Sequence, residues 1–257
     1  MTEKKEWFAN WFDSPYYHIL YQNHNEQNAK DFIDTLFQKL TPQYAVLKPT
    51  SAYRILDLAC GKGRHSRYMA SKGFDVTGID LSENSIKFAR QYESESLSFF
   101  QHDMRKPFRI NYFDYVFNIF TSFGYFDKEE DNLTALKCVQ SGLKHNGIFI
   151  LDYFNSNWVR ETMIPSYQQS AAGIVFNITK HIDNGHIYKT IDFEAIEEQL
   201  VKKYHFQEKV RLFSLRDFEI LFKKAGLKIV EKYGDYQPNQ FDEKTSNRLI
   251  IKAIKKN

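Results

Sequence analysis

The sequence predicts an α/β fold: a doubly wound, mostly parallel seven-stranded sheet that carries an inserted antiparallel β subdomain. Three patterns predict it. From about residue 53 to 160, short apolar runs alternate with amphipathic stretches, the spacing of βα units in a parallel sheet. From about 166 to 213 the hydrophobic period changes to two, as in half-buried antiparallel strands. After 213 a helical stretch and two strand-like runs return the chain to the first pattern.

Residues 1 to about 48 are polar and aromatic, and DFIDTLFQKL (31–40) places apolar residues at 32, 33, 36, 37 and 40, a helical stripe. Tyr53 to Ala59 reads as the first strand, followed by a helix over 64–72 that Gly73 ends as a left-handed cap. DVTGID (75–80) is the second strand, and Ser82 is the N-cap of the helix SENSIKFARQ. Leu97 to Gln101 and FDYVFNIF (113–120) are the third and fourth strands. Asp127 is the expected cap of a helix with apolar positions 133, 136, 139 and 143, closed by Asn146-Gly147 before the strand IFILDY (148–153). In the insertion, IVFNITKHI and HIYKTIDFEAI flank Asp183-Asn184-Gly185, a hairpin signal. EEQLVKKYHFQEKVRLF continues the alternation, giving three or four strands. Ser214 caps the last helix, with Asp217 at the capping-box position, and Gly226 ends it. Strands over 227–233 and 248–254 follow, separated by a polar loop in which Pro238 argues against a strand.

A chain of 257 residues suits one large domain or a domain with a sizeable insertion. The net charge of +3 and the absence of a long basic run argue against a nucleic-acid partner. Lys252, Lys255 and Lys256 read as a solvated strand end. Cys60 and Cys138 are the only cysteines and form no CxxC, so neither a disulfide nor a zinc site is expected, and a reducing cytoplasm is. The histidines lack metal-ligand spacing, so no metal is expected. MTEKKEWFANWF has no apolar signal-peptide core, and no apolar run approaches the roughly 18 residues of a membrane span. A soluble cytoplasmic protein is expected, monomeric or homodimeric.

The stretch LDLACGKGRHS (56–66) joins a strand to a helix through a glycine turn, a nucleotide-holding arrangement. A dinucleotide site wants GxGxxG, but here the third glycine is replaced by Ser66. A P-loop pattern is absent. Asp57, four residues before the first glycine, is awkward for phosphate and favourable for a cation. Asp80, at the end of the second strand, stands where a carboxylate accepts ribose hydroxyls. Asp103-Met104 follows the third strand, where an acid and an apolar side chain meet an adenine amino group and ring face.

LDLACGKG (56–63), VTGIDLS (76–82), QHDM (101–104) and NIFTSFGYF (118–126), in this order, resemble the class I S-adenosylmethionine-dependent methyltransferases. The antiparallel insertion and TSFGYF further resemble small-molecule N-methyltransferases acting on glycine or amino sugars. The resemblance implies an antiparallel last strand and S-adenosylmethionine (SAM) as cofactor. It sets Gly61 and Gly63 against the methionine part of SAM, Asp57 under its amino-acid end, Asp80 on the ribose, and Asp103 with Met104 around adenine. Ala59, Leu81, Asn118 and Phe120 complete the expected contacts. In related enzymes an N-terminal aromatic segment closes over the cofactor, which gives Tyr17 or Tyr21 a place near the methionine carboxylate or sulfonium. The expected organisation is a helical lid over 1–48, a SAM-binding domain over 49–160 and 214–257, and a substrate cap over 161–213. The expected reaction is methyl transfer to nitrogen or oxygen of a small polar molecule by in-line displacement. No catalytic base is fixed; Tyr125, Tyr153 and His181 are candidates by position. Three alternatives stay open: a nicotinamide-dependent oxidoreductase, a non-catalytic SAM-binding protein, and an RNA or other nucleic-acid methyltransferase. Against the last, Asn118-Ile119-Phe120-Thr121 departs from the Asn/Asp-Pro-Pro-aromatic tetrapeptide of base amino-methyltransferases.

Overall fold

A computed structural model describes residues 7–21, 26–40, 53–237 and 239–256. The chain opens with α1 (Trp7–Phe12), α2 (Pro15–Leu20) and α3 (Glu26–Thr35), the last continuing into a wide π-type turn at Leu36–Leu40. Ser14 caps α2 through the Tyr16 N–H, with Pro15 in the first turn, where its missing donor costs nothing. Then come β1 (Arg54–Leu58), α4 (Arg64–Ser71), β2 (Asp75–Asp80), α5 (Glu83–Ala89), β3 (Leu97–Gln101), β4 (Phe113–Asn118), α6 (Glu129–Gly142), β5 (Leu143–Phe154) and α7 (Ser156–Thr162). The insertion supplies β6 (Ser166–Ala171), β7 (Ile174–Asp183), β8 (His186–Glu197) and β9 (Leu200–Arg211). The chain closes with α8 (Leu215–Lys224), β10 (Leu227–Tyr233) and β11 (Arg248–Lys255).

The main sheet has the order β10-β11-β5-β4-β1-β2-β3. Its five strands from β1 to β5 pair in parallel, and β11 runs antiparallel between β5 and β10. The last strand is antiparallel, as the resemblance implies. β1 is buried over four consecutive residues, the pattern of a strand covered on both faces. One face packs α6 and α8, with Phe149 over Phe222 at 5.7 Å. The other packs α3, α4 and α5 around Phe32, Met69, Phe99 and Phe117. Strand order reverses between β4 and β1, so a ligand crevice is expected at their carboxyl ends.

The second sheet, β6-β7-β8-β9, is wholly antiparallel, the upper of the two counts expected. Its β7–β8 turn has positive φ at Asn184 (45°) and Gly185 (72°), the mirror-image turn that fits strand twist. Its inward face, Phe176, Ile178, Ile191 and Phe193, takes the N-terminal helices. Trp11 lies 4.6 Å from the Phe206 ring, and Tyr16 lies 4.8 Å from both Phe193 and Tyr204. The segment is also tied to the main domain, because Asp13 accepts from Ser82 Oγ (2.7 Å) and from the Asn84 N–H (3.0 Å). Residues 22–25, 41–52 and Pro238 lie outside the described residues.

Four expectations need correction. β4 ends at Asn118 rather than 120, because Phe120 and Thr121 turn to φ 57° and 56°. Asp127 does not cap α6; it pairs with Lys209 at 2.7 Å, and acidic Glu129, Glu130 and Asp131 face the helix N-terminus instead. Asn146-Gly147 does not close that helix either. It forms an irregularity inside β5, where pairing slips from Phe113↔Leu143 to Tyr115↔Ile148. Lys252 is buried and paired with Glu231 at 2.8 Å, not solvated. The helix α7, capped by Asn155, was not expected.

Candidate active site

Two adjoining cavities open at the carboxyl ends of the parallel strands. The smaller, about 260 Å³, lies over β1, β2 and β3 beneath the N-terminal helices, with Asp80, Leu81, Asp103, Met104 and Gln101 on its wall. The larger, about 1020 Å³, lies between β4, α7 and the inward face of the second sheet. Tyr17, Ala59, Gly61, Phe120 and Tyr125 line both, so the two spaces meet at the glycine turn and an aromatic collar.

The turn takes positive φ at Ala59 (63°), Gly61 (54°) and Gly63 (75°). The glycines do different work. A side chain at Gly61 would meet no atom within 4 Å, so the turn leaves open space on the cavity side. A Cβ at Gly63 would sit 2.5 Å from the Phe99 ring, so this glycine lets helix and sheet pack closely, and it lines neither cavity. Gly63→Ala is therefore expected to lower stability by about 1–3 kcal/mol through overpacking. Gly61→Ala is expected to cost only about 1–2 kcal/mol of backbone strain, but at least tenfold in SAM affinity. Urea unfolding beside calorimetric SAM titration checks the contrast; the reverse pattern would contradict these roles.

Asp80 closes the turn, accepting from the Gly61 N–H (2.8 Å) and the Ser82 N–H (2.8 Å), one on each oxygen. Burial pushes its carboxyl up, opposed by these backbone donors. The residue lines the smaller cavity. Asp103 sits there too, gripped by Arg105 Nη2 at 2.7 Å; burial works against its charge, but Arg105 holds it below the usual carboxylate range.

Asp57 is buried and lines neither cavity. It accepts from Ser66 Oγ at 2.5 Å and fixes the start of α4 from below. Burial, with the charge of Asp80 added and the Ser66 bonds opposing, pushes its carboxyl up to about 6. The folded state thus holds this proton more tightly than the unfolded chain. Its contribution is most favourable below about pH 4 and is lost as pH rises through 6. Relative to Asp57→Asn, which keeps an acceptor for Ser66, wild-type unfolding free energy is expected to fall by about 3 kcal/mol between those limits. Denaturant curves from pH 4 to 7 read this directly, and a flat difference would contradict it.

The Phe120–Thr121 turn is held from behind by Asp152, which is fully buried. The Phe120 N–H donates to its Oδ2 (2.8 Å), the Thr121 N–H to its carbonyl (3.1 Å), and Arg248 Nη2 to its Oδ1 (2.6 Å). Two left-handed non-glycine residues in a row store strain of the kind that persists only when the surroundings impose it. Here it turns the Phe120 ring, stacked on His65 at 5.1 Å, into the collar between the cavities.

Of the remaining expected residues, Tyr17 and Tyr21 border the larger cavity. Asn118 lies beside it in sequence but lines neither space; its amide donates to the Leu58 carbonyl (2.9 Å), and its buried Oδ1 has no partner among the described residues. Among the three base candidates only Tyr125 reaches the cavities, and burial pushes its phenol well above the usual range. Tyr153 is buried, with its hydroxyl donating to the Arg211 carbonyl. His181 is exposed and stacks on Tyr188 at 4.9 Å; it lines neither cavity.

Sequence reasoning missed Asp13, Asp152, Lys180, Lys189, Glu208 and Arg248. Glu208 accepts from Trp11 Nε1 (2.7 Å) and from the Tyr21 hydroxyl (2.7 Å), and its other oxygen faces Lys189 at 3.7 Å. A signal was available for three of them. Lys180 continues the inward phase of Phe176 and Ile178, Lys189 that of Ile191 and Phe193, and Glu208 that of Tyr204 and Phe206. Charge at positions whose period calls for apolar residues marks a site rather than a core.

The residues present suit SAM: open space at Gly61, a carboxylate with free lone pairs at Asp80, an acid beside a methionine at Asp103-Met104, and aromatic faces for a sulfonium at the collar. A model of the methyltransferase domain matches residues 55–147. The Bacillus subtilis (strain 168) protein YqeM, which carries a methyltransferase name, is 32% identical over 221 residues, 79% of this chain and 84% of that one. A glycine/sarcosine N-methyltransferase of Parasynechococcus marenigrum (strain WH8102) is 31% identical over 204 residues, covering 75% and 69%. A solved S-adenosylmethionine-dependent methyltransferase from Clostridium acetobutylicum ATCC 824 shares the fold, with a TM-score of 0.77 at 20% identity over 96% of this chain and 99% of that one. The chain belongs to the class I S-adenosylmethionine-dependent methyltransferases. It is an enzyme with SAM as its cofactor, not a nicotinamide oxidoreductase. Among the described residues no helix is long and apolar enough to cross a membrane.

Proposed function

We propose that this methyltransferase acts on a nitrogen of a small polar molecule bound in the larger cavity. The observation that carries the reading is the junction of the two cavities at Phe120 and Tyr125, with one side walled by the nucleotide-type turn and the other by the inserted sheet. In this reading residues 1–48 form a lid, 161–213 a substrate cap, and 49–160 with 214–257 the SAM-binding domain. The similarity to a glycine/sarcosine N-methyltransferase supports a nitrogen acceptor.

Bound in the smaller cavity, SAM supplies a methyl group on an already activated sulfur. Asp80 holds the ribose, Asp103 and Met104 the adenine, and the Gly61 turn lets the methionine part approach the backbone. Tyr17, Phe120 and Tyr125 present ring faces, which attract a cation without reacting with it. The lid and cap exclude water and fix acceptor and donor in line, the main requirement of a displacement with a good leaving group. Tyr125 keeps its proton near neutral pH, so it orients rather than acts as a base. Lys189 donates to Tyr21, and Tyr21 to Glu208, the one carboxylate on the larger cavity among the described residues. The Glu208 carboxylate is the group on this wall that takes the proton an ammonium acceptor gives up.

The test pairs amines with their hydroxyl counterparts: glycine and sarcosine against glycolate, and amino sugars against the parent sugars. Formation of S-adenosylhomocysteine with the amines and not the alcohols is expected. Turnover with the alcohols alone would contradict a nitrogen acceptor.

A further inference from the structure

Across the second sheet, Lys180, Lys189 and Glu208 lie directly opposite one another on neighbouring strands β7, β8 and β9. All three are on the inward face and line the larger cavity. Like charges directly opposite in a sheet repel, and the single carboxylate of the row faces Lys189, at 3.7 Å. Lys180 has no carboxylate within 4.0 Å among the described residues; its ammonium lies 4.9 Å over the Tyr167 ring. The rest of the lining carries the same bias. Lys62, Arg64, Arg67 and Arg248 also border this cavity, against Glu208 as the only acid among the described residues. Arg248 is neutralised from behind by Asp152.

Two lysines side by side on the buried face of a small sheet cost stability unless a ligand compensates them. Burial and the charge of Lys189 push the Lys180 ammonium pKa down, and the more distant charge of Glu208 offsets only part of that. An apolar or cationic occupant would leave that cost standing; an anion removes it. Tyr167 and Tyr21, whose hydroxyl accepts from Lys189 at 2.5 Å, add aromatic walls on either side.

We infer that Lys180, beside Lys189, binds an anionic group, a carboxylate or a phosphate, on the methyl acceptor. This rests on the larger cavity being the acceptor site, and it narrows the substrate class to small amines that carry an acid group. The anion at the Lys180 end anchors the molecule on the cap, leaving its nitrogen toward the Phe120–Tyr125 collar. Lys180 is then a specificity-determining residue on the cap, separate from the cofactor contacts.

The test titrates the full-length protein, with and without saturating S-adenosylhomocysteine, with acetate, inorganic phosphate and pyrophosphate. Wild type is expected to bind at least one of them ten times or more tighter than Lys180→Met, which keeps an unbranched side chain and loses the charge. Lys180→Arg is expected to stay within about threefold of wild type, and all three proteins to bind S-adenosylhomocysteine equally. Carboxylate and phosphate are told apart by which anion binds. Equal anion affinity in wild type and Lys180→Met, or no binding of any of the three anions, overturns the inference. A wild type that fails to bind S-adenosylhomocysteine counts against the donor-site reading instead, and the anion titration without it still decides the Lys180 site.

Discussion

Alanine at position 80 is expected to weaken SAM binding by about 100-fold. Asp80 is half-buried at the end of β2, and each of its oxygens is already fixed by one backbone N–H, from Gly61 and from Ser82. That fixes the carboxylate at the wall of the smaller cavity, where the proposed site has it accept hydrogen bonds from two ribose hydroxyls. A hydrogen bond to a charged group contributes about 1.5–3 kcal/mol, so losing two accounts for about 3 kcal/mol, or about two orders of magnitude in affinity. The same change frees two N–H groups of the glycine turn, so part of the loss reflects a loosened turn. Asp80→Asn separates the contributions, because it keeps an acceptor for one amide while removing the charge; an intermediate loss is expected. Calorimetric titration with S-adenosylhomocysteine, beside a thermal unfolding curve, checks both. Unchanged affinity in Asp80→Ala would end the ribose assignment.

The second large effect is on stability. Arg248→Leu leaves the Asp152 carboxylate fully buried with, among the described residues, only the Phe120 N–H and the Tyr236 hydroxyl as partners. Breaking a buried ion pair by removing one member costs about 3–5 kcal/mol, a large part of the about 5–15 kcal/mol of an ordinary domain. The urea midpoint is expected to fall accordingly. Replacing both partners by leucine is expected to recover part of that loss, since an apolar pair needs no compensation. It also releases the Phe120 N–H and the Thr121 hydroxyl from their anchors. The double variant should therefore regain stability without regaining SAM affinity. Recovery of both would show that the Phe120–Thr121 turn does not depend on this pair.

Most of the fold was legible because local chemistry and tertiary packing agree. Ser82 and the Ser214–Asp217 box cap the helices they were expected to cap, and Asn184-Gly185 makes the expected hairpin. The misses are places where a tertiary partner outbid a local signal. Asp127 is drawn to Lys209 across the domain, and Asn146-Gly147 supplies its positive φ inside a strand rather than after a helix. Phe120 read as the end of a strand, with Thr121 next after it, because its aromatic character suits one. Only the Asp152 carboxylate and the Arg248 guanidinium, distant in sequence, turn them.

The site divides in the same way. Asp80, Asp103, Met104 and Gly61 stand in short contiguous motifs at strand ends, so their place on one cavity was readable. The two glycines looked alike and are not, since only the position of Phe99 gives Gly63 to packing. Asp57 sits beneath the turn, on Ser66, where strand direction alone did not put it. The wall of the larger cavity was opaque because its residues come from four separate elements: Tyr21 from the end of α2, Lys180 from β7, Lys189 from β8 and Glu208 from β9.

Tritium from methyl-labelled SAM, supplied with a complete cell extract and followed into fractions, tests the central claim most directly. The account predicts label in small polar metabolites bearing a methylated nitrogen, lost in Asp80→Ala. Label in RNA, DNA or protein, with the metabolite fraction unlabelled, would contradict it.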